Sequence, residues 1–251
     1  MTTGRPAGAV PGPVAVFMWP DGLLTGVPCE VTDGVYLLEV GWPEPVGANA
    51  YLVDDGDLTL VDAGLPVGRR RLSAEIAAAG YDPTDLDRVL VTHYDVDHVG
   101  GLRAVARDVP TYLGAPDVAL VDRSWAPPLS HPKGPYHRLV RRVYSLSGRD
   151  VRPVLDGEGI GGFRALLTPG HNPGHTVYVH DALDTAFLGD LVRATGDGFR
   201  QMPSIDTYDA ASARESLARV GTESFTHGCA GHGRPVTRDA GAALATLAED
   251  L

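Results

Sequence analysis

The sequence predicts one α/β domain over residues 1–251, with helices packed outside β-sheets. Apolar strand-like runs alternate with amphipathic helical stretches. No Pro/Gly/Ser-rich linker divides them, and 251 residues suffice for one large core.

Residues 1–13 carry Pro6, Pro11 and Pro13 and are expected to form a loose tail. Val31–Val40 reads as a strand. Two strands then flank the Asp55-Gly56 turn. A helix is expected over about 67–79, where Leu72, Ile76 and Ala79 follow helical spacing and Gly80 is the stop signal. Pro83-Thr84-Asp85-Leu86 leads into a strand at Arg88–Thr92. A short helix at 101–107 and a strand at 110–113 follow. Residues 122–150 are irregular, then helical, and read as a lid inserted over the core. Strands are expected at 151–155, 163–168, 175–180 and 184–188. A helix at 209–219, a strand at Ser224–His227 and a helix within 236–250 close the chain.

The formal net charge of −11 disfavours nucleic acid as a partner. The arginine runs at 69–71 and at Arg138, Arg141 and Arg142 read as solvated helix faces. Lys133 is the only lysine, a bias that genome composition or adaptation to salt would each produce. Two distant cysteines, Cys29 and Cys229, make no disulfide framework. The N-terminus fits neither a signal peptide nor a membrane span. A cytoplasmic location and a small-molecule substrate, with no membrane partner, are therefore expected.

The chemistry concentrates at strand ends. His93-Tyr94-Asp95-Val96-Asp97-His98 places four metal-ligating side chains in six residues, directly after an apolar strand. In an extended stretch residues 93, 95 and 97 would share one face. Asp62 ends an earlier strand. His171 and His175 lie in Thr168-Pro169-Gly170-His171-Asn172-Pro173-Gly174-His175, Asp190 follows Phe187-Leu188-Gly189, and His232 stands between Gly231 and Gly233. Any one of these reads equally as a cap or loop residue; together they exceed what turn chemistry asks for.

The series resembles the five ordered motifs of the metallo-β-lactamase superfamily, running from Asp62 to His232. The family's H-x-H-x-D-H motif stands here as His93 to His98. The resemblance implies an αββα sandwich, two facing β-sheets with helices outside and a metal cleft along one edge. It assigns His93, His171 and the residue at 95 to a first metal. Asp97, His98 and His232 go to a second metal, and Asp190 to both. Asp62 would support the ligands from behind, and His175 would do the same or face the substrate.

Asp95 departs from the family, which most often has histidine there. As a ligand it would favour harder cations, so iron or manganese join zinc, the default for mixed nitrogen and oxygen donors. The alternative is that Asp95 does not ligate and the first site is weak or vacant. Two cations sharing a carboxylate about 3.5–4 Å apart would activate a bridging hydroxide to cleave an ester, thioester or lactone. Asp97, against the second metal, would shuttle the proton. Cys229 reads as a buried structural thiol. Trp125, His131, Tyr136 and His137, in the insertion, are candidate substrate contacts.

Glyoxalase II-like thioesterases and small lactonases fit better than nucleases. Few residues follow His232, which argues against glutathione thioesters. Arg193 stands where acyl-homoserine lactonases have tyrosine, and could bind a substrate carboxylate or phosphate. Two other classes share the fold: non-heme iron redox enzymes (persulfide dioxygenase-like or diiron oxygen-reducing) and catalytically silent binding proteins. The nearly full ligand set argues against the last of these.

Overall fold

The computed structural model describes residues 28–40 and 47–250; the tail expected over residues 1–13 lies outside them. In chain order the strands of the first sheet are β1 (Cys29–Thr32), β2 (Val35–Leu38), β3 (Ala50–Asp54), β4 (Leu58–Val61), β5 (Arg88–Val91), β6 (Thr111–Gly114) and β7 (Val151–Val154). They hydrogen-bond in that same order. Pairing is antiparallel as far as β4 and parallel from β4 to β7. The second sheet holds β8 (Gly159–Ile160), β9 (Phe163–Leu167), β10 (Thr176–His180), β11 (Thr185–Gly189) and, beyond a small ribbon of β12 (Val192–Ala194) and β13 (Phe199–Gln201), β14 (His227–Ala230). Its order is β14-β11-β10-β9-β8, with β14 parallel to β11.

Strand alternation sorts side chains into three apolar layers. In β3, Tyr51 and Val53 face the second sheet, as do Val61 of β4 and Leu90 of β5. They meet Phe163, Tyr178, Phe187 and Cys229 from the other side. The intervening positions, Leu52, Leu60, Val89 and Val91, turn outward onto α1 (Arg69–Ala78), α3 (Ala115–Val121) and α4 (Lys133–Val143) through Leu72, Ile76, Leu120 and Val140. On the second sheet, Val177, Val179, Ala186 and Leu188 meet α5 (Ala210–Val220) and α6 (Ala240–Glu249) through Leu217, Val220 and Leu244. A period of two within each strand thus yields the αββα sandwich. Among the described residues no helix is long and apolar enough to cross a membrane.

The differences from expectation are local. Val31–Val40 is not one strand but the hairpin β1–β2, turning at Asp33-Gly34. Gly34 has φ of +75°, and a Cβ there would press on the Asp54 carbonyl. The 3-10 turn at Gly100–Ala104 replaces the helix expected at 101–107, and a four-residue helix α2 (Val96–Val99) precedes it. The strand expected at Ser224–His227 begins at His227. Within the 122–150 segment, α4 lies on the core through Val140 and places Lys133 and His137 in buried positions.

Candidate metal centre

β4 and β5 run parallel in one sheet, and β11 and β14 run parallel in the other. Asp62, Thr92-His93, Asp190 and Gly231-His232 follow the C-terminal ends of these four strands, and His171 and His175 lie in the loop between β9 and β10. The backbone stays extended only to Asp95, which has φ of −117° and ψ of 154°. His98 and Val99 then donate their backbone N–H groups to the Asp95 carbonyl, each at 3.0 Å. So Asp97 and His98 reach the centre from a helical turn, not from the alternation expected of an extended run.

Hydrogen bonds behind the imidazoles set which nitrogen faces inward. Asp62, left-handed at φ of +56°, accepts from Thr92 N at 2.8 Å and from Thr92 Oγ1 at 2.7 Å. Its Oδ2 also takes His98 Nδ1–H at 2.8 Å. Because Thr92 Oγ1 donates to Asp62, it accepts His93 Nδ1–H at 3.0 Å. His232 Nδ1–H donates to the Gly47 carbonyl at 3.0 Å. All three rings therefore turn Nε2 to the interior.

Those inward atoms gather in two sets. His93, His171 and Asp190 form one group able to hold a cation, and Asp97, His98 and His232 form another; Asp95, His171 and Asp206 make a third group. Asp190 touches both: its Oδ2 is 3.3 Å from His232 Nε2, 3.6 Å from His171 Nε2 and 4.0 Å from His93 Nε2, and its Oδ1 is 3.4 Å from His98 Nε2. Asp97 Oδ2 lies 3.6 Å from His232 Nε2 and 3.9 Å from His98 Nε2. Gly231 closes the space, since a Cβ there would strike Asp190 Oδ1 and the His98 ring.

The centre demands positive charge. Burial disfavours a charged His98, yet Asp62, Asp190 and Asp97 outweigh it and hold its pKa well above the ordinary imidazole value. Burial likewise opposes, and Asp190 overcomes, for His232. Burial would raise the Asp190 carboxyl, but His232 and His98 hold it well below the carboxylate range. His93 Nε2, His98 Nε2 and Asp190 Oδ1 are buried without a hydrogen-bond partner. Unpartnered imidazole nitrogens and carboxylate oxygens within about a ligand–ligand spacing fit a divalent cation.

Asp95 is differently engaged. Its Oδ1 accepts from His137 Nε2 at 2.5 Å and Asn172 Nδ2 at 3.1 Å, and its Oδ2 accepts from Lys133 Nζ at 2.9 Å. His93 Nε2 and His171 Nε2 stand 3.5 and 3.3 Å from that same Oδ2. Burial would raise the Asp95 carboxyl; Lys133 and then His93 outweigh it and keep it well below its usual range. His137 is fully buried, and its Nδ1 meets the Tyr208 hydroxyl at 2.7 Å. Tyr136 accepts Val96 N–H at 3.0 Å, while Trp125 and His131 pack on Tyr208 at 5.9 and 5.0 Å between ring centroids. Arg193 lies half-buried in β12.

His175 lies behind Asp190. Its Nε2 accepts Asp190 N–H at 2.9 Å, and its Nδ1 is 2.7 Å from Thr168 Oγ1. Burial, reinforced by His171, pushes its pKa down to about 3, as a neutral acceptor requires. His175→Ala is expected to weaken metal binding roughly 10–100-fold, the usual effect of losing a partner behind a ligand. Chelator competition measures it, and unchanged affinity would remove His175 from the support of Asp190. Cys229 is buried between the sheets, where burial raises its thiol pKa.

Several contributors carried no sequence signal. Asp117 is buried and accepts from Tyr94 N at 2.8 Å and Gly174 N at 2.7 Å, joining the two ligand loops. Asn49 donates to the carbonyls of Gly233 and Ala230 at 2.7 and 3.1 Å, tying the first sheet to the His232 loop. Only Lys133 stood out, by its singularity.

A family model described as the metallo-beta-lactamase superfamily matches residues 43–223. The chain is 26% identical over 234 residues to the probable metallo-hydrolase YqjP of Bacillus subtilis, covering 82% of this chain and 73% of that one. It is 32% identical over 155 residues to a hydroxyacylglutathione hydrolase of Halorhodospira halophila, covering 61% of this chain and 45% of the relative. Among solved structures, TTHA1623 in a di-iron-bound form superposes with a TM-score of 0.60 at 25% identity, covering 82% of this chain and 96% of that one.

Proposed function

The chain belongs to the metallo-β-lactamase superfamily, and from that premise we propose that it is a metal-dependent hydrolase cleaving an ester, thioester or lactone. The observation that carries this reading is the trio of buried, unpartnered atoms His93 Nε2, His98 Nε2 and Asp190 Oδ1 at the shared edge of the two sheets.

Asp97, His98, His232 and Asp190 would hold a cation, with His93 and His171 beside them. A divalent cation bound there supplies a Lewis acid for a carbonyl oxygen and lowers the pKa of a bound water. The chain's own contribution is orientation and charge. Asp62 and Gly47 aim two imidazoles, and His175 fixes the backbone of Asp190. Asp97 has the most exposed side chain of these carboxylates, 22% against 3% for Asp190. Burial raises its pKa, with His98 opposing. In this reading Asp97 would face the substrate and accept the proton.

A cavity of about 550 Å³ has Val96, the residue before Asp97, in its lining, but none of the metal-facing side chains. Its walls include Leu65, Val67, Tyr136, Leu139 and Val143, so it suits the apolar arm of an acyl substrate. The relationship to a hydroxyacylglutathione hydrolase points the same way, toward an acyl carbonyl. The test is hydrolysis of aryl esters, acyl thioesters and lactones before and after chelator treatment. Metal-loaded protein should cleave at least one class, the stripped protein none, and added metal should restore the rate. Cleavage that survives stripping, or a loaded protein inert toward all three, would refute the reading.

A further inference from the structure

We propose that the centre takes one divalent cation, at Asp97, His98, His232 and Asp190, and that the Lys133 ammonium holds the place of a second. The inference rests on the metal-dependent reading above and concerns how many cations that site accepts.

The argument is a count of donors. A second cation would draw on His93, Asp95, His171 and Asp190, or on Asp95, His171 and Asp206. Lys133 Nζ lies 2.9 Å from Asp95 Oδ2 and 2.9 Å from His171 Nε2. An imidazole nitrogen has one lone pair, so His171 Nε2 accepts from the ammonium or binds a metal, never both. Asp95 is occupied on its other oxygen too, by His137 and Asn172. Asp95 and His171 belong to both possible donor groups and are engaged, and what remains, His93 with Asp190 or Asp206 alone, is too few for a tight site. At the proposed site His98 Nε2 and Asp190 Oδ1 lack partners, whereas His171 Nε2 has one in Lys133.

Lys133 is built into this position. It is 3% exposed, at the start of α4, and a third acceptor, the Asp206 carbonyl, lies 3.1 Å from Nζ. Its three N–H donors thus have three acceptors in Asp95, His171 and Asp206. Charge points the same way. Asp95 and the partly exposed Asp206 share the ammonium, their carboxylate oxygens 2.9 and 3.4 Å from Nζ, and one divalent cation offsets Asp97 and Asp190. A second divalent cation would sit against a buried ammonium. The chain uses arginine at every other cationic position. The compact ammonium reaches Asp95, His171 and the Asp206 carbonyl together.

The test is metal stoichiometry, read by elemental mass spectrometry after the chelator-stripped protein is titrated with zinc and desalted. The natural chain should saturate at one equivalent and Lys133→Met near two. Lys133→Gln, which keeps a polar end without the charge, should also take up a second equivalent and stands in if the methionine variant does not fold. Two equivalents in the natural chain would overturn the proposal and leave the hydrolase reading intact. One equivalent in both folded variants would likewise overturn the role of Lys133. A natural chain that binds no metal would overturn both readings.

Discussion

Asp190→Ala is expected to lower hydrolysis by roughly three orders of magnitude or more, beyond the 10–100-fold typical of partners behind a ligand. Among the described residues no other side chain approaches both ligand sets so closely: its oxygens lie 3.3 Å from His232 Nε2, 3.4 Å from His98 Nε2 and 3.6 Å from His171 Nε2. Loss of the carboxylate leaves the cluster short of a donor and short of negative charge at once. His171→Ala should cost much less, because His171 Nε2 already accepts from Lys133. Rates with a cleaved ester or thioester, beside metal content, check both variants. Equal, mild losses would show that Asp190 has no special place. The metal-free protein adds a pH signature. The Asp190 carboxyl is held below its unfolded value, so its contribution is present above about pH 4 and lost as pH falls through the folded pKa. His98 and His232 are raised, so theirs is complete below about pH 6.5 and lost as pH climbs through their folded pKa values. Stability of the stripped natural chain should therefore decline on the alkaline side, and Asp190→Ala should flatten that decline.

The strands were legible as apolar runs such as Tyr51-Leu52-Val53 or Val177-Tyr178-Val179, whose residues alternate between two buried layers, while their stacking as a sandwich was implied only by the family resemblance. The grouping at the centre was legible for a different reason. Its histidines and aspartates follow apolar runs, in places where turn chemistry alone would favour glycine, asparagine or serine. The ribbon β12–β13 and the short β8 offered neither length nor alternation and went unread. The hairpin β1–β2 did offer a signal, Asp33-Gly34, masked by the apolar residues on either side.

The surroundings of Asp95 were illegible for a stronger reason. Lys133 and His137 lie 38 and 42 positions away in sequence, on a helix whose pattern declares only an apolar face. Nothing local announces that its first residue will reach a carboxylate in another loop. The sequence did show that position 95 was unusual, and it left open whether the aspartate ligates. The geometry shows what engages it: an ammonium, an imidazole and an amide. His137, a candidate for touching substrate, is buried against Asp95 and Tyr208. A composition bias, the solitary lysine, was the only trace of this arrangement in one dimension.

The largest effect on stability is expected from Asp117→Ala. Asp117 has no exposed surface, and its two oxygens accept from Tyr94 N at 2.8 Å, Gly174 N at 2.7 Å and Asn172 Nδ2 at 3.3 Å. It thereby joins the loop carrying His93 and Asp95 to the loop carrying His171 and His175. Alanine would strand two buried backbone N–H groups, each costing about 1–3 kcal/mol. Part of this is offset, because burial raises the Asp117 pKa despite those donors, so its carboxylate is itself a cost that alanine removes. The net loss should be roughly 2–4 kcal/mol, or about 5–15 °C in Tm for a chain of this size. The effect should persist in the metal-free protein, since these bonds involve no metal-facing atom, and metal affinity should fall as both loops lose their common anchor. Thermal unfolding of stripped and loaded protein separates the two. A melting temperature within a degree or so of the natural chain would mean the loops are held by their strands alone, and that Asp117 is incidental to the centre.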